Sequence, residues 1–198
     1  MNRVQKLLID RFDTVIGELI LVADRDGNLR AIDWSDYEMR MRRLLRRHYG
    51  ENGFNLQPAS NPSGLSDAIR RYFAGEVNAI DLLPVATAGT PFQREVWHAL
   101  RDIPAGKTAS YAELAQRIGR PTAVRAVGLA NGSNPIGIVV PCHRVIGANG
   151  SLTGYGGGIE RKRWLLEHEG VDTKHSRGSG LFEKIPIPGS DKVDRLLS

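Results

Sequence analysis

The chain has 198 residues, 41% of them apolar and 25% charged, which are ordinary values for a globular protein of one or two domains. No run of about 18 uninterrupted apolar residues exists to span a bilayer, and the first ten residues break into charge before a secretory leader could form, so a cytoplasmic location is expected. A single cysteine, Cys142, excludes an intrachain disulfide and any multi-thiolate zinc or iron–sulfur site. The formal net charge is +5. Between Arg101 and Arg163 nine basic residues face three acidic ones, a net of +6, and such a local excess suits a polyanionic partner.

In chain order, residues 19–23 form an apolar run, followed by the turn-forming Asp24-Arg25-Asp26-Gly27-Asn28 and a second run over residues 29–34. This predicts a hairpin, with a strand over residues 6–12 beside it. Residues 37–49 lack Gly and Pro and carry Met41, Leu44, Leu45 and His48 at helical spacing among five arginines, which predicts a basic amphipathic helix with its arginines in solvent. Residues 50–64 hold two prolines and three asparagines and read as loop. A short helix over residues 65–74 follows, stopped by Gly75, and a further connection leads to a domain boundary near residue 89.

Beyond that boundary the punctuation is clear. Thr90 as N-cap and Pro91 at the first helical position open a helix with Phe92, Val96, Trp97 and Leu100 on one face. Ser110-Tyr111-Ala112-Glu113 is a capping box for a second helix, which Gly119-Arg120-Pro121 breaks. Thr122 is expected to cap a third helix over residues 123–131. Two short helices across a tight turn make a helix-turn-helix pattern. Residues 136–140 read as a short buried strand ended by Pro141, which puts Cys142 at a strand end. A last helix spans residues 159–169, and residues 171–198 read as an extended or mobile tail.

On spacing alone the Cys142-His143 pair is ambiguous, because a lone cysteine after an apolar run is usually a small core residue. Two features favour chemistry: Pro141 interrupts the run just before the cysteine, and Arg144 adds positive charge near a thiol whose unperturbed pKa is ~8.5, so partial ionisation is expected.

The segment Pro141-Cys142-His143-Arg144-Val145, preceded by Asn134-Pro135, resembles the active-site signature of the O6-alkylguanine-DNA alkyltransferases, the methylated-DNA–protein-cysteine methyltransferases. The likeness extends through Phe92…Val96-Trp97, Ile103-Pro104-x-Gly106-x-Thr108-x-Ser110-Tyr111, Arg125-Ala126-Val127-Gly128, Tyr155-x-Gly157-Gly158 and Leu165-Leu166-x-His168-Glu169-Gly170. It is dense over residues 90–170 and loose over the first third.

The resemblance implies an α/β chain with a ribonuclease-H-like first domain (residues 1–88) and a mostly helical second domain with the helix-turn-helix and a short active-site strand (89–170). It implies irreversible, stoichiometric transfer of an alkyl group from O6 of guanine in double-stranded DNA to Cys142, by a monomer with no cofactor and no membrane. Glu169 and His143 correspond to a relay that deprotonates the cysteine through a water. Asn134 corresponds to the residue holding the turn, and Tyr111 to the proton donor for the departing guanine. The Val145 carbonyl and the Tyr155-Gly156 backbone correspond to the groups cradling the base. Arg125 corresponds to the side chain that enters the duplex when the base is extruded, with Arg120 a phosphate contact. Some family members carry zinc on first-domain cysteines; with Cys142 alone that site is not expected here. Gly137 stands where other members have a larger residue or proline. Three readings compete: a non-reacting homologue has tryptophan in place of the nucleophile, a helix-turn-helix regulator leaves the Cys142, His143 and Glu169 matches without cause, and a thiol protease needs a distant histidine and has no other support.

Overall fold

The computed structural model describes residues 4–173. Strands β1 (Gln5–Thr14), β2 (Gly17–Ala23) and β3 (Leu29–Trp34) form an antiparallel meander, and helix α1 (Glu38–Tyr49) leads to β4 (Phe54–Pro58), which lies parallel to β1 and completes a sheet of order β3-β2-β1-β4. The strand β4 falls within the segment expected to be loop. It sits at the sheet edge and pairs with β1 alone, where Pro58, which has no N–H, loses no ladder bond on the open side.

Alternation along the strands gives the sheet two covered faces. Ile20 and Val22 join Leu7, Ala31, Met41 and Leu45 under α1, whereas Leu19, Leu21 and Ala23 belong to the main core on the other side. Helix α2 (Leu65–Phe73) contributes Leu65, Ile69 and Tyr72 to that core.

The second half supplies α3 (Pro91–Arg101), the two-residue β5 (Ala109–Ser110), α4 (Tyr111–Arg117), α5 (Val124–Gly132), β6 (Val145–Ile146) and α6 (Ile159–His168). The predicted capping box of Ser110 and Glu113 forms, and Thr90 makes another with Gln93. Thr122 does not cap α5. Ala123 occupies the N-cap and no side chain bonds the first turn.

The apolar run over residues 136–140 is buried but is not a strand. Ile136 alone bridges to Ile32 of β3, after which the chain coils back: Val139 N–H bonds Gly137 O at 2.8 Å and Val140 N–H bonds Ile136 O at 3.0 Å. Ile138 has φ +70°, a conformation that a β-branched residue rarely adopts and that only an over-determined surrounding maintains. The short strand of the active-site region is β6, after the cysteine, paired in parallel with β5. The halves share one core and several bridges, including Ile32 N–H to Pro135 O (2.9 Å) and Arg161 to Asp36 (2.9 Å). The expectation for the tail falls, from residue 174 onward, outside the described residues.

Candidate functional site

Cys142 opens a single helical turn, Cys142–Arg144, rather than ending a strand, and it is 6% exposed. The turn is held from behind by Asn134, itself buried, whose side-chain N–H groups donate to Val140 O (2.7 Å) and Ile136 O (3.4 Å) while its Oδ1 accepts from Ile136 N–H (3.0 Å). One amide therefore satisfies the backbone groups that a strand would have paired in a ladder.

Next to the cysteine lies a closed network of buried charge. His143 Nε2 bonds Glu169 Oε1 at 2.9 Å. The same oxygen accepts from Arg144 Nη2 (2.9 Å) and from the Tyr72 hydroxyl (2.8 Å), and Oε2 accepts from Arg144 Nε (2.8 Å). Arg144 also donates to Ile103 O at 2.5 Å. Burial by itself would raise the Glu169 carboxyl, but the His143 and Arg144 donors outweigh it and hold the group far below the usual carboxylate range. Burial pulls His143 below the ordinary imidazole value against the opposing pull of Glu169, so the ring rests neutral. Its proton then belongs on Nε2, facing the carboxylate. Nδ1, buried and without a hydrogen-bond partner, is left with its lone pair free.

Arg144 does not ionise the cysteine as its place in the sequence suggests; it is spent on Glu169. Burial pushes the Cys142 thiol up, and Asn134, Arg40 and Lys162 oppose that rise. Lys162 is fully buried on α6, donating to Val145 O and Thr153 O, both at 2.6 Å. Burial brings its pKa down to about 8, with the nearby Cys142 acting against the fall.

A cleft of about 280 Å³, counting its solvent-open part, is lined by Cys142; Asn134, Gly137, Tyr155, Gly156 and Arg40 are among its other walls. The last two meet closely. Arg40 crosses from α1 to bond Asp33 (2.5 Å), Gly132 O and Asn134 O (both 3.2 Å), and a Cβ on Gly156 would lie 2.5 Å from its guanidinium carbon. At Gly157 a Cβ would lie 2.4 Å from Trp34 Nε1, so this loop needs glycine to pass.

The remaining sequence candidates divide. Val145 is buried and its carbonyl is engaged by Lys162. Tyr111 begins α4 and packs near Gly128 of α5, where a Cβ would lie 3.8 Å from the Tyr111 ring. Arg125 is exposed on the first turn of α5. Arg120 is tied to Glu95 at 3.0 Å and lies over the Phe92 ring. Tyr72, Arg40 and Lys162 were not singled out by sequence reasoning. Their signals, a core-like tyrosine and two members of basic runs, are indistinguishable from packing and solvated charge without the fold.

Two family models match: the 6-O-methylguanine DNA methyltransferase ribonuclease-like domain over residues 8–87 and its DNA binding domain over residues 91–171. The chain belongs to this family. The methylated-DNA–protein-cysteine methyltransferase of Shigella flexneri is 56% identical over 165 residues, covering 83% of this chain and 96% of the relative. The Mycobacterium tuberculosis protein of the same name is 62% identical over 128 residues, 64% of this chain and 77% of the relative. Among solved structures of the family, that of Mycobacterium tuberculosis OGT in complex with DNA superposes with a TM-score of 0.66 at 44% identity, covering 83% of this chain and 92% of that one. The O6-methylguanine-DNA methyltransferase of Pyrococcus kodakaraensis gives 0.62 at 28% identity, covering 83% and 99%. The first half is thereby a member of the ribonuclease-like class that the resemblance implied.

Proposed function

We propose that this protein repairs DNA by moving an alkyl group from O6 of guanine onto Cys142, once per molecule. The observation that carries the reading is the buried His143–Glu169 pair beside Cys142, with the free lone pair on His143 Nδ1. Family membership and the DNA complex of a relative supply the substrate class. The helix-turn-helix regulator gives no reason for a neutral histidine locked against an ionised carboxylate beside the only cysteine.

Displacement at carbon needs a thiolate in line and a proton for the leaving base. His143 Nδ1 takes the Cys142 proton, through one bridging water as the family resemblance implies, and the imidazolium so formed is stabilised by Glu169 on its other nitrogen. The Sγ–C bond forms as the C–O6 bond breaks, and the electron pair returns to the guanine ring, which receives a proton from Tyr111. Asn134 holds the turn that presents the sulfur. The Val145 carbonyl and the Tyr155-Gly156 backbone receive the extruded base. Its extrusion costs a few kcal/mol, and Arg125 offsets part of this by filling the vacated stack. Arg120 reaches phosphate after exchanging Glu95 for it.

The reading treats residues 1–88 as the ribonuclease-H-like half and 89–170 as the DNA-binding, reacting half, acting as a monomer in the cytoplasm. Among the described residues no helix is long and apolar enough to cross a membrane. A thioether offers no good leaving group, so neither His143 nor Glu169 can reset the sulfur. Intact-mass measurement after incubation with excess O6-methylguanine duplex tests the proposal. One methyl on Cys142, and a plateau at one per chain, is expected; no mass gain, or several repaired guanines per chain, refutes it.

A further inference from the structure

The reacting half does not complete its own relay. Glu169 Oε1, the oxygen that faces His143, also accepts the hydroxyl of Tyr72, which comes from α2 in the first half of the chain, 97 residues away, at 2.8 Å. Tyr72 is fully buried. Its ring is fixed edge-on against Phe73 and His168, and its carbonyl is bonded by His168 Nε2 at 2.7 Å, so the hydroxyl has little freedom to leave the carboxylate. Burial and the adjacent Glu169 keep its proton on well above the ordinary phenol range. It is a permanent donor.

We infer that Tyr72 is a positioning residue that sets the basicity of His143 by sharing the carboxylate oxygen on which His143 leans. Three donors divide the electron density of Oε1: His143 Nε2, Arg144 Nη2 and the Tyr72 hydroxyl. Density drawn toward Tyr72 is withheld from His143, so the imidazolium that forms when Cys142 gives up its proton is less stabilised than in an isolated carboxylate–histidine pair. The result is a histidine neutral at rest yet aligned to accept a proton, with the alignment supplied by the first half. The other groups that face this cluster are Arg144 from the cysteine turn, Lys162 from α6, Tyr155 from the loop before α6, and Cys142. Lys162 and Arg144 both disfavour a charged His143.

The inference rests on the proposed transfer to Cys142, and its test separates the two. Single-turnover methyl transfer is followed against pH in the full chain, with Tyr72→Phe and with 3-fluorotyrosine incorporated at position 72, and the His143 ring is titrated by NMR in the same three proteins. Phenylalanine keeps the ring contacts and deletes the donor; His143 becomes a stronger base, and both the acid limb of the rate profile and the ring titration move to higher pH by about half a unit or more. Fluorotyrosine is a stronger donor and moves both the opposite way. Movement in opposite directions is not produced by a merely structural role. Unchanged limbs and titrations, or a uniform drop in rate with no shift, overturn the inference. If the parent protein transfers no methyl group, the functional reading fails, while the NMR titration still decides the role of Tyr72. If Tyr72→Phe does not fold, the fluorotyrosine shift decides it.

Discussion

Replacing Glu169 by glutamine changes one buried atom and breaks the network at its centre. In the native protein Oε1 accepts three hydrogen bonds and Oε2 accepts one from Arg144 Nε. A glutamine carbonyl can retain the first set, but its NH₂ then faces the Arg144 N–H, donor against donor. Arg144 is 2% exposed and keeps Ile103 O and the neutral glutamine carbonyl, so a guanidinium charge is left buried without its counter-ion. Removing one partner of a buried pair costs about 3–5 kcal/mol. For a chain of this length each kcal/mol moves the midpoint by roughly 2–4 °C, so Glu169→Gln is expected to melt about 6–20 °C below the parent at pH 7. Methyl transfer slows by about 10²–10⁴, the range for losing general-base assistance, and is not abolished, because a small fraction of thiolate persists without help. Cys142→Ala abolishes it. Thermal melts by circular dichroism and single-turnover mass measurement check both effects. A melting point within 3 °C of the parent, in the scale of that same ~2–4 °C per kcal/mol, or a rate unchanged, would refute the assignment of Glu169 as the centre of the relay.

Arg125→Ala is expected to slow repair of duplex DNA much more than reaction with the free alkylated base, which needs no extrusion; equal slowing counts against the base-flipping role. Acid lability should come in two stages. Both His143 and Glu169 have folded-state values below their unfolded ones, so their contribution to stability is full at neutral pH, begins to fall below the ordinary histidine value of 6.5 and falls further below the ordinary glutamate value of 4.5. Unfolding free energies measured across pH 3–8 that stay flat through both ranges contradict it. Lys162 titrates near 8 in the fold against 10.5 unfolded, so the fold gains stability as pH rises through that window. Lys162→Met should remove the gain, and an unchanged slope between pH 8 and 10.5 sinks the assignment.

Much of the architecture was legible because its determinants are local. The Asp24–Asn28 turn between apolar runs, Thr90 with Pro91, the Ser110–Glu113 capping box and the Gly-Arg-Pro break at residues 119–121 are each complete within a few residues, and the structure contains the elements they predict. The single cysteine and its flanking motif were enough to name the family, because the motif residues are adjacent or lie in recognisable blocks.

Elements whose fate depends on distant partners were misread. The apolar residues 136–140 have strand composition, yet Asn134 supplies the hydrogen bonds that a neighbouring strand would have supplied, and the run closes into a turn. Residues 54–58 look like loop and become a strand because β1 offers an edge. Arg144 appears in sequence as the cation that ionises Cys142, but Glu169 lies within 3 Å of it once α6 docks, and the charge goes there. What the amino-acid order determined alone was the candidate nucleophile, the order of the helices and the class of partner. What the tertiary structure decided was the charge state of the site, since burial, the neutral histidine and the donor from Tyr72 exist only after two halves of the chain share one core and exclude water from it.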